Sequence, residues 1–104
     1  MLSALKQRAA LLSRTLTPDG GGGFSESWQT VADVWIDIQP LGAHERFGPD
    51  AIDSRVRHRI RLRSRSDVFA GMQLATANRR FAIRAVLAAD SASPLMTLLV
   101  EELP

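Results

Sequence analysis

The chain has 104 residues and no cysteine, which predicts one domain and excludes disulfides, cysteine nucleophiles and cysteine-ligated zinc. Its 13 basic and 11 acidic residues give a formal net charge of +2, but nine of the twelve arginines lie between residues 55 and 84, where Asp67 is the only carboxylate. No apolar run approaches the roughly 18 residues that a membrane-spanning helix needs, and we expect no membrane partner.

The first segment, residues 2–16, fits two structures. Apolar side chains recur at helical spacing over residues 2–12, whereas Leu12, Arg14 and Leu16 alternate as in a strand. Basic residues interrupt the apolar run, so we do not expect a secretory signal. Residues 17–27 predict a turn or flexible tip, because a proline and four consecutive glycines disfavour regular structure.

The middle of the chain predicts two strands. Val34, Ile36 and Ile38 alternate with polar or aromatic residues in a strand over residues 28–41, which we expect to end at Pro40. Residues 42–51 predict a loop with room for one short helical turn. The next strand, residues 55–65, has the strictest alternation of the chain.

The last third predicts three further strands, at residues 72–76, 81–89 and 95–103. Residues 77–80 predict a turn, in which Asn78 is able to take a positive φ. In the strand at 81–89, one face is predicted to carry Phe81, Ile83, Ala85 and Leu87. The sequence therefore predicts an all-β protein, a small barrel or sandwich of five to six antiparallel strands.

Catalytic chemistry is poorly supported by the sequence. His58 alternates with apolar residues, which predicts a core or interface side chain, and His44 lies in a loop beside an acid. A Ser-His-Asp triad can be drawn from Ser25, His44 and Asp50. The sequence does not support it, because no nucleophile elbow surrounds any serine. We expect no enzyme, no cofactor and no metal site.

The feature that most needs a function is a stripe of arginines at every second position of the strand at 55–65. In a strand these side chains share one face: Arg55, Arg57, Arg59, Arg61, Arg63 and Arg65. Three interpretations remain open, namely a solvated face with weak ion pairs, an interface with acids of another subunit, and contact with the phosphates of duplex DNA.

Taken in order, the segments resemble the head-tail adaptor proteins, also called head closure or head-tail joining proteins, of tailed double-stranded DNA phages. The residues that carry this resemblance are Trp28, Val34-Trp35, Gln39-Pro40-Leu41-Gly42, Glu45, Phe47, Val56, His58-Arg59-Ile60-Arg61-Leu62-Arg63 and Arg80-Phe81-Ala82-Ile83. The match covers nearly the whole chain. It departs from the family in an alanine- and leucine-rich first segment and at Gly48-Pro49, where the family continues a short helix.

The resemblance implies a structural β-barrel subunit in the neck of a virion or phage-like particle, assembled in the bacterial cytoplasm. It implies a homo-oligomeric ring between a portal-side adaptor protein and the tail terminator or tail proteins, with double-stranded DNA passing through the channel. Such a ring closes the filled head and docks the tail. The arginine- and alanine-rich composition also suits a gene transfer agent.

In that setting the Gly-rich tip becomes a candidate partner loop, made of Asp19, Gly20, Gly21, Gly22, Gly23 and Phe24. The alternative is an ordinary hairpin tip. Two functions from other classes also stay open. One is a free nucleic-acid-binding barrel that contacts duplex phosphates through the arginine stripe, and the other is an assembly module that does not touch DNA.

Overall fold

A computed structural model describes residues 5–42, 56–87 and 94–104 of the chain. These residues form six strands and no helix: β1 (Gln7–Pro18), β2 (Phe24–Pro40), β3 (His58–Arg63), β4 (Gln73–Ala75), β5 (Arg80–Leu87) and β6 (Leu95–Leu103). All paired strands are antiparallel, which confirms the predicted all-β class. The short helical turn expected within 42–51 lies, apart from Gly42, outside the described residues.

The strands close on themselves in the order β1-β2-β3-β6-β5-β4, so the architecture is a barrel rather than a sandwich. Closure depends on β4, which pairs with β1 on one side and with β5 on the other through three residues each. Alternate residues of every strand point inward, as the strand period of two requires. The largest fully buried side chains include Ile36, Ile60, Leu62, Leu74, Phe81 and Leu98.

The ambiguous first segment is a strand from Gln7 onward. It pairs with β2 along its whole length, from Gln7 opposite Ile36 to Pro18 opposite Phe24. Hydrogen-bonded pairing with β2 therefore makes this segment a strand, although its apolar periodicity fits both a helix and a strand. The turn is also shorter than the sequence predicts, because β1 and β2 extend into the glycine-rich segment and leave only residues 19–23 between them.

One local prediction in β5 is wrong, and the turn before β5 closes without a positive φ. The register with β6 shifts between Ile83 and Ala85, which marks a β-bulge and moves the following residues by one position. Val86 consequently packs against the core, in place of the expected Ala85 and Leu87. Asn78 does not take a positive φ, because the turn closes through the Thr76 N–H, which donates to the Arg79 carbonyl at 2.8 Å.

The hairpin of β1 and β2 is longer than the barrel that it helps to build. β4 pairs with β1 only at Ala10–Leu12, and β3 pairs with β2 only at Ile36–Pro40. Residues 13–18 and 24–30 are therefore paired only with each other among the described residues. We call residues 13–30, with their turn, the hairpin arm.

Candidate functional site

The arginine-rich strand β3 lies in the barrel wall between β2 and β6. Ile60 and Leu62 are 0% exposed and point into the core. The residues between them must then point outward, so Arg59, Arg61 and Arg63 lie on the outer surface. Arg57 precedes the strand and is exposed, and its carbonyl accepts a hydrogen bond from the Leu41 N–H at 2.8 Å. We call these four outward arginines the basic face.

The row of outward arginines on β3 does not continue as far as Arg65. Arg65 lies beyond β3 and donates to both carboxylate oxygens of Asp67, from Nε and Nη2, at 2.9 Å each. This hydrogen bonding lowers the pKa of the Asp67 carboxyl and raises that of the Arg65 guanidinium. Arg65 is therefore neutralised by its own neighbour, and Arg55, the other end of the stripe, lies outside the described residues.

Within the basic face, the two central arginines are half-buried against side chains of β2. Arg59 donates from Nη2 to Gln39 Oε1 at 2.8 Å, across a register pair of β2 and β3. Arg61 stands opposite Asp37 in the same ladder. Among the described residues, Asp37 Oδ2 and Arg61 Nε are buried atoms without a hydrogen-bond partner. The central part of the face therefore keeps unused donor and acceptor capacity.

Most carboxylates elsewhere on the described surface have arginine partners, whereas Asp19 binds backbone N–H groups of its own turn. Five such pairs have an oxygen within 3.9 Å of a guanidinium nitrogen: Arg8–Asp33, Arg14–Glu26, Arg65–Asp67, Arg79–Glu102 and Arg84–Glu101. By contrast, Arg57, Arg61 and Arg63 form no ion pair with any described residue. Three described arginines without an ion-pair partner therefore lie close together at β3. Such a surface attracts carboxylates or phosphates from outside the subunit.

The Gly-rich tip is a compact turn. The Asp19 carboxylate accepts the Gly21 N–H at 2.8 Å and the Gly23 N–H at 3.1 Å, and the Asp19 N–H donates to the Gly23 carbonyl. Gly20 and Gly22 have φ of 83° and 89°, a region that glycine adopts without steric cost. Beside the turn, Phe24 is 65% exposed. The candidate partner loop therefore combines a self-contained turn with one large exposed apolar side chain.

The residues weighed for catalysis do not come together. His58 points inward and packs edge-on against Phe81, with the ring centroids 5.7 Å apart. Its Nδ1 is buried without a described partner. His44 and Asp50 lie outside the described residues, so the structure gives no distances between Ser25, His44 and Asp50. In the described segments, no three His, Cys, Asp or Glu side chains group as metal ligands, and no helix there is long and apolar enough to cross a membrane.

One surface was missed by the sequence analysis, an open cleft of about 720 Å³ between the hairpin arm and the connection before β4. Trp28 of the arm and Phe69 of the connection contribute its aromatic lining, and Phe69 is 62% exposed. Arg84 also lines the cleft, but Glu101 binds it at 2.6 Å. No periodic pattern marks Phe69, since it lies in a loop. The cleft is lined by both apolar and charged side chains.

The comparisons with known proteins agree with this architecture. A family model described as "phage head completion protein" matches residues 2–103. The solution structure of protein SF1141 from Shigella flexneri 2a has a TM-score of 0.76 at 20% identity, over 98% of this chain and 96% of that one. A chain in the virion of a native gene transfer agent particle has a TM-score of 0.68 at 22% identity, over 95% of this chain and 96% of that one. The curated proteins give no match.

Proposed function

This chain belongs to the phage head completion protein family, and on that premise we propose that it is a connector subunit of a phage-like particle, a head-tail adaptor or stopper. In the proposal, copies of the barrel form a ring in the neck, between a portal-side adaptor protein and the tail terminator or tail proteins. The ring closes the DNA-filled head and gives the tail a docking surface. Double-stranded DNA passes through its channel.

The observation that carries the proposal is the family match over residues 2–103, which assigns the chain to structural proteins of the head. The fold shared with a chain of a gene transfer agent virion supports the same assignment. Surface chemistry supports an assembly role in its own right. Arg57, Arg61 and Arg63 lack described ion-pair partners, so their natural complement is an anionic surface on another molecule.

A second candidate function is free binding of duplex DNA through the basic face. The same unpaired arginines favour it, since guanidinium groups bind phosphates and release counterions. A free DNA binder would bind duplex by itself, with an affinity that falls steeply as salt rises. A connector subunit would bind duplex weakly in solution and would be found in purified particles. Mass spectrometry of particles and a salt titration therefore separate the two functions.

The test of the basic face is the double variant Arg57→Glu with Arg63→Glu. Both side chains are exposed and reverse charge without entering the core. We expect a folded protein that fails to support tailed particles, because the reversed face repels its anionic partner. The readout is the yield of tailed particles by electron microscopy, from cells in which the variant replaces the natural chain.

The matched control is Arg57→Lys with Arg63→Lys, which keeps the charge but removes the planar fork of the guanidinium. Reduced but measurable particle yield in this control would assign part of the effect to charge and part to bidentate binding. Normal particle yield with the glutamate variant would show that the basic face is only solvated. Absence of the natural chain from purified particles would refute the connector function itself.

A further inference from the structure

The hairpin arm leaves two strand edges without a partner among the described strands. Outside the barrel, residues 13–18 of β1 and 24–30 of β2 pair with each other and with no other described strand. Each outer edge therefore presents backbone N–H and C=O groups that a further strand can satisfy. A two-stranded ribbon is also marginally stable by itself, so an arm of this length benefits from a neighbour.

The two faces of the arm differ in chemistry. One face carries only small or neutral polar side chains: Ser13, Thr15, Thr17, Ser25, Ser27 and Gln29. The opposite face carries Leu16 and Phe24, which are 50% and 65% exposed, together with the pair of Arg14 and Glu26. Leu16 and Phe24 are thus exposed apolar side chains on a face that also holds an ion pair, and their grouping on a projecting element favours an interaction surface.

The charges of the two strands identify the partner. Within the arm, the only charged residue of β1 is Arg14 and the only charged residue of β2 is Glu26. Pairing β1 with β1, or β2 with β2, would bring like charges together, which destabilises a cross-strand pair. Pairing the β1 edge of one copy with the β2 edge of another would bring Arg14 beside Glu26. The charges therefore favour pairing of β1 with β2 between copies over pairing of like strands.

We propose that the arms of neighbouring copies pair edge to edge, with β1 of one copy against β2 of the next. This interface is heterologous, so repetition of it closes a ring when the rotation between copies permits. Each contact covers Leu16 of one copy and Phe24 of the other, and it satisfies one free edge from each arm. The inference deepens the proposed ring and rests on that part of the proposed function.

The first test uses the absence of natural cysteines, which makes engineered ones unambiguous. Thr17→Cys and Ser27→Cys are single variants with exposed side chains, one on each strand of the arm. The two purified proteins are mixed at high concentration and treated with a short bismaleimide. We expect cross-linked dimers that join the two variants, with homodimers of either variant no stronger than in a control.

The control mixture pairs Ser27→Cys with Ala77→Cys, an exposed site in the turn between β4 and β5. Cross-linking between Thr17→Cys and Ser27→Cys that does not exceed this control overturns the proposal. Homodimers of Thr17→Cys or of Ser27→Cys as the main product also overturn it, because they indicate a symmetric pairing of like edges or a different partner surface.

The second test exchanges the charges between copies. Arg14→Glu alone carries acids on both arm strands, and Glu26→Arg alone carries bases on both, so each variant should pair more weakly with itself. A mixture restores an opposite-charge contact at every junction, although the pair within each arm stays broken. We expect cross-linking or sedimentation to show loss of assembly for each variant and recovery to the natural level in the mixture.

A mixture that stays as dispersed as the single variants, under conditions in which the natural chain associates, refutes edge pairing. These tests use purified protein and do not depend on particles. Failure of the proposed connector function would appear as absence from particles with cross-linking intact. Failure of this inference would appear as presence in particles with no arm-to-arm cross-link.

Discussion

At the scale of single residues, most of the described arginines fall into two groups with different surroundings. One group is held by carboxylates of neighbouring strands or of the same loop, as in the pairs of Arg79 with Glu102 and Arg65 with Asp67. The other group, which includes Arg57 and Arg63, projects from β3 without a described acid. Exposed pairs of the first kind contribute little stability each, but by occupying the acids they leave the second group available to a partner.

The paired carboxylates predict a specific dependence of stability on pH. Hydrogen bonds from Arg65 and Arg79 lower the pKa values of Asp67 and Glu102 in the folded state. Their stabilisation is therefore complete above the unfolded pKa and is lost as pH falls through the lowered folded pKa. We expect the variant Asp67→Asn with Glu102→Gln to show a flatter decline in unfolding free energy between about pH 5 and pH 2 than the natural chain.

Urea denaturation at a series of pH values measures this effect. The variant Arg65→Gln with Arg79→Gln provides the matched control, because it removes the donors and leaves the carboxylates in place. Its curve should flatten in the same way. Variant curves that run parallel to the natural one over the whole acid range would mean that these pairs do not form in solution.

At the scale of secondary-structure elements, β-bulges redirect side chains that simple alternation would place elsewhere. The bulge in β5 brings Val86 to the core and turns its neighbours away from it. A second irregularity lies between Leu11 and Leu12, where β2 carries one extra residue, Val31. This position is the root of the hairpin arm, so the bulge lies where the ribbon leaves the barrel.

The β5 bulge predicts an unusual order of mutational effects. Truncation of the smaller side chain, Val86→Ala, should cost about 1 to 2 kcal/mol, because a core methyl pair is removed. Truncation of the larger one, Leu87→Ala, should cost less than this, because Leu87 is half-buried but does not pack against the core cluster. Chemical denaturation of both variants measures the difference. A larger loss for Leu87→Ala would show that uninterrupted alternation, rather than the bulge, describes β5.

These elements also show what the sequence could and could not provide. Strict alternation predicted β2 and β3 with the correct inward faces, because Val34, Ile36, Ile60 and Leu62 had to be buried together. Alternation could not locate the bulge in β5, since an inserted residue leaves no mark in a short apolar run. It also could not show which arginines of the predicted stripe keep their charge unpaired, because Asp67 binds Arg65 through a bend that no periodicity encodes.

At the scale of the whole molecule, a single closed sheet surrounds a single core, and the described strands contribute to both. The predicted single domain over residues 1–104 then implies that the barrel unfolds as one unit. We expect one thermal transition whose calorimetric and van't Hoff enthalpies agree. Differential scanning calorimetry at low protein concentration measures both. Two resolved transitions in the monomer would show that the arm or another segment behaves as a separate domain.

The family resemblance added what residue-level reasoning left open. The residues of the arginine stripe by themselves left three interpretations open: a solvated face, a subunit interface and contact with DNA. The order of Trp28, Pro40 and the β3 arginines along the chain resembled a head-tail structural protein. The family match over residues 2–103 confirms that assignment. Ring formation, the DNA channel and the roles of the basic face and the Gly-rich tip remain predictions. They depend on contacts between molecules, which a single chain does not contain.

The short strand β4 has a consequence for the native-state dynamics of the barrel. Three residues on each side connect β4 to β1 and β5, whereas β6 holds its neighbours through longer ladders. Local opening costs least where the fewest backbone hydrogen bonds and buried contacts must be broken. We therefore expect the barrel to open first at the ladders of β4. Opening there would convert the closed barrel into a curved sheet with two new strand edges.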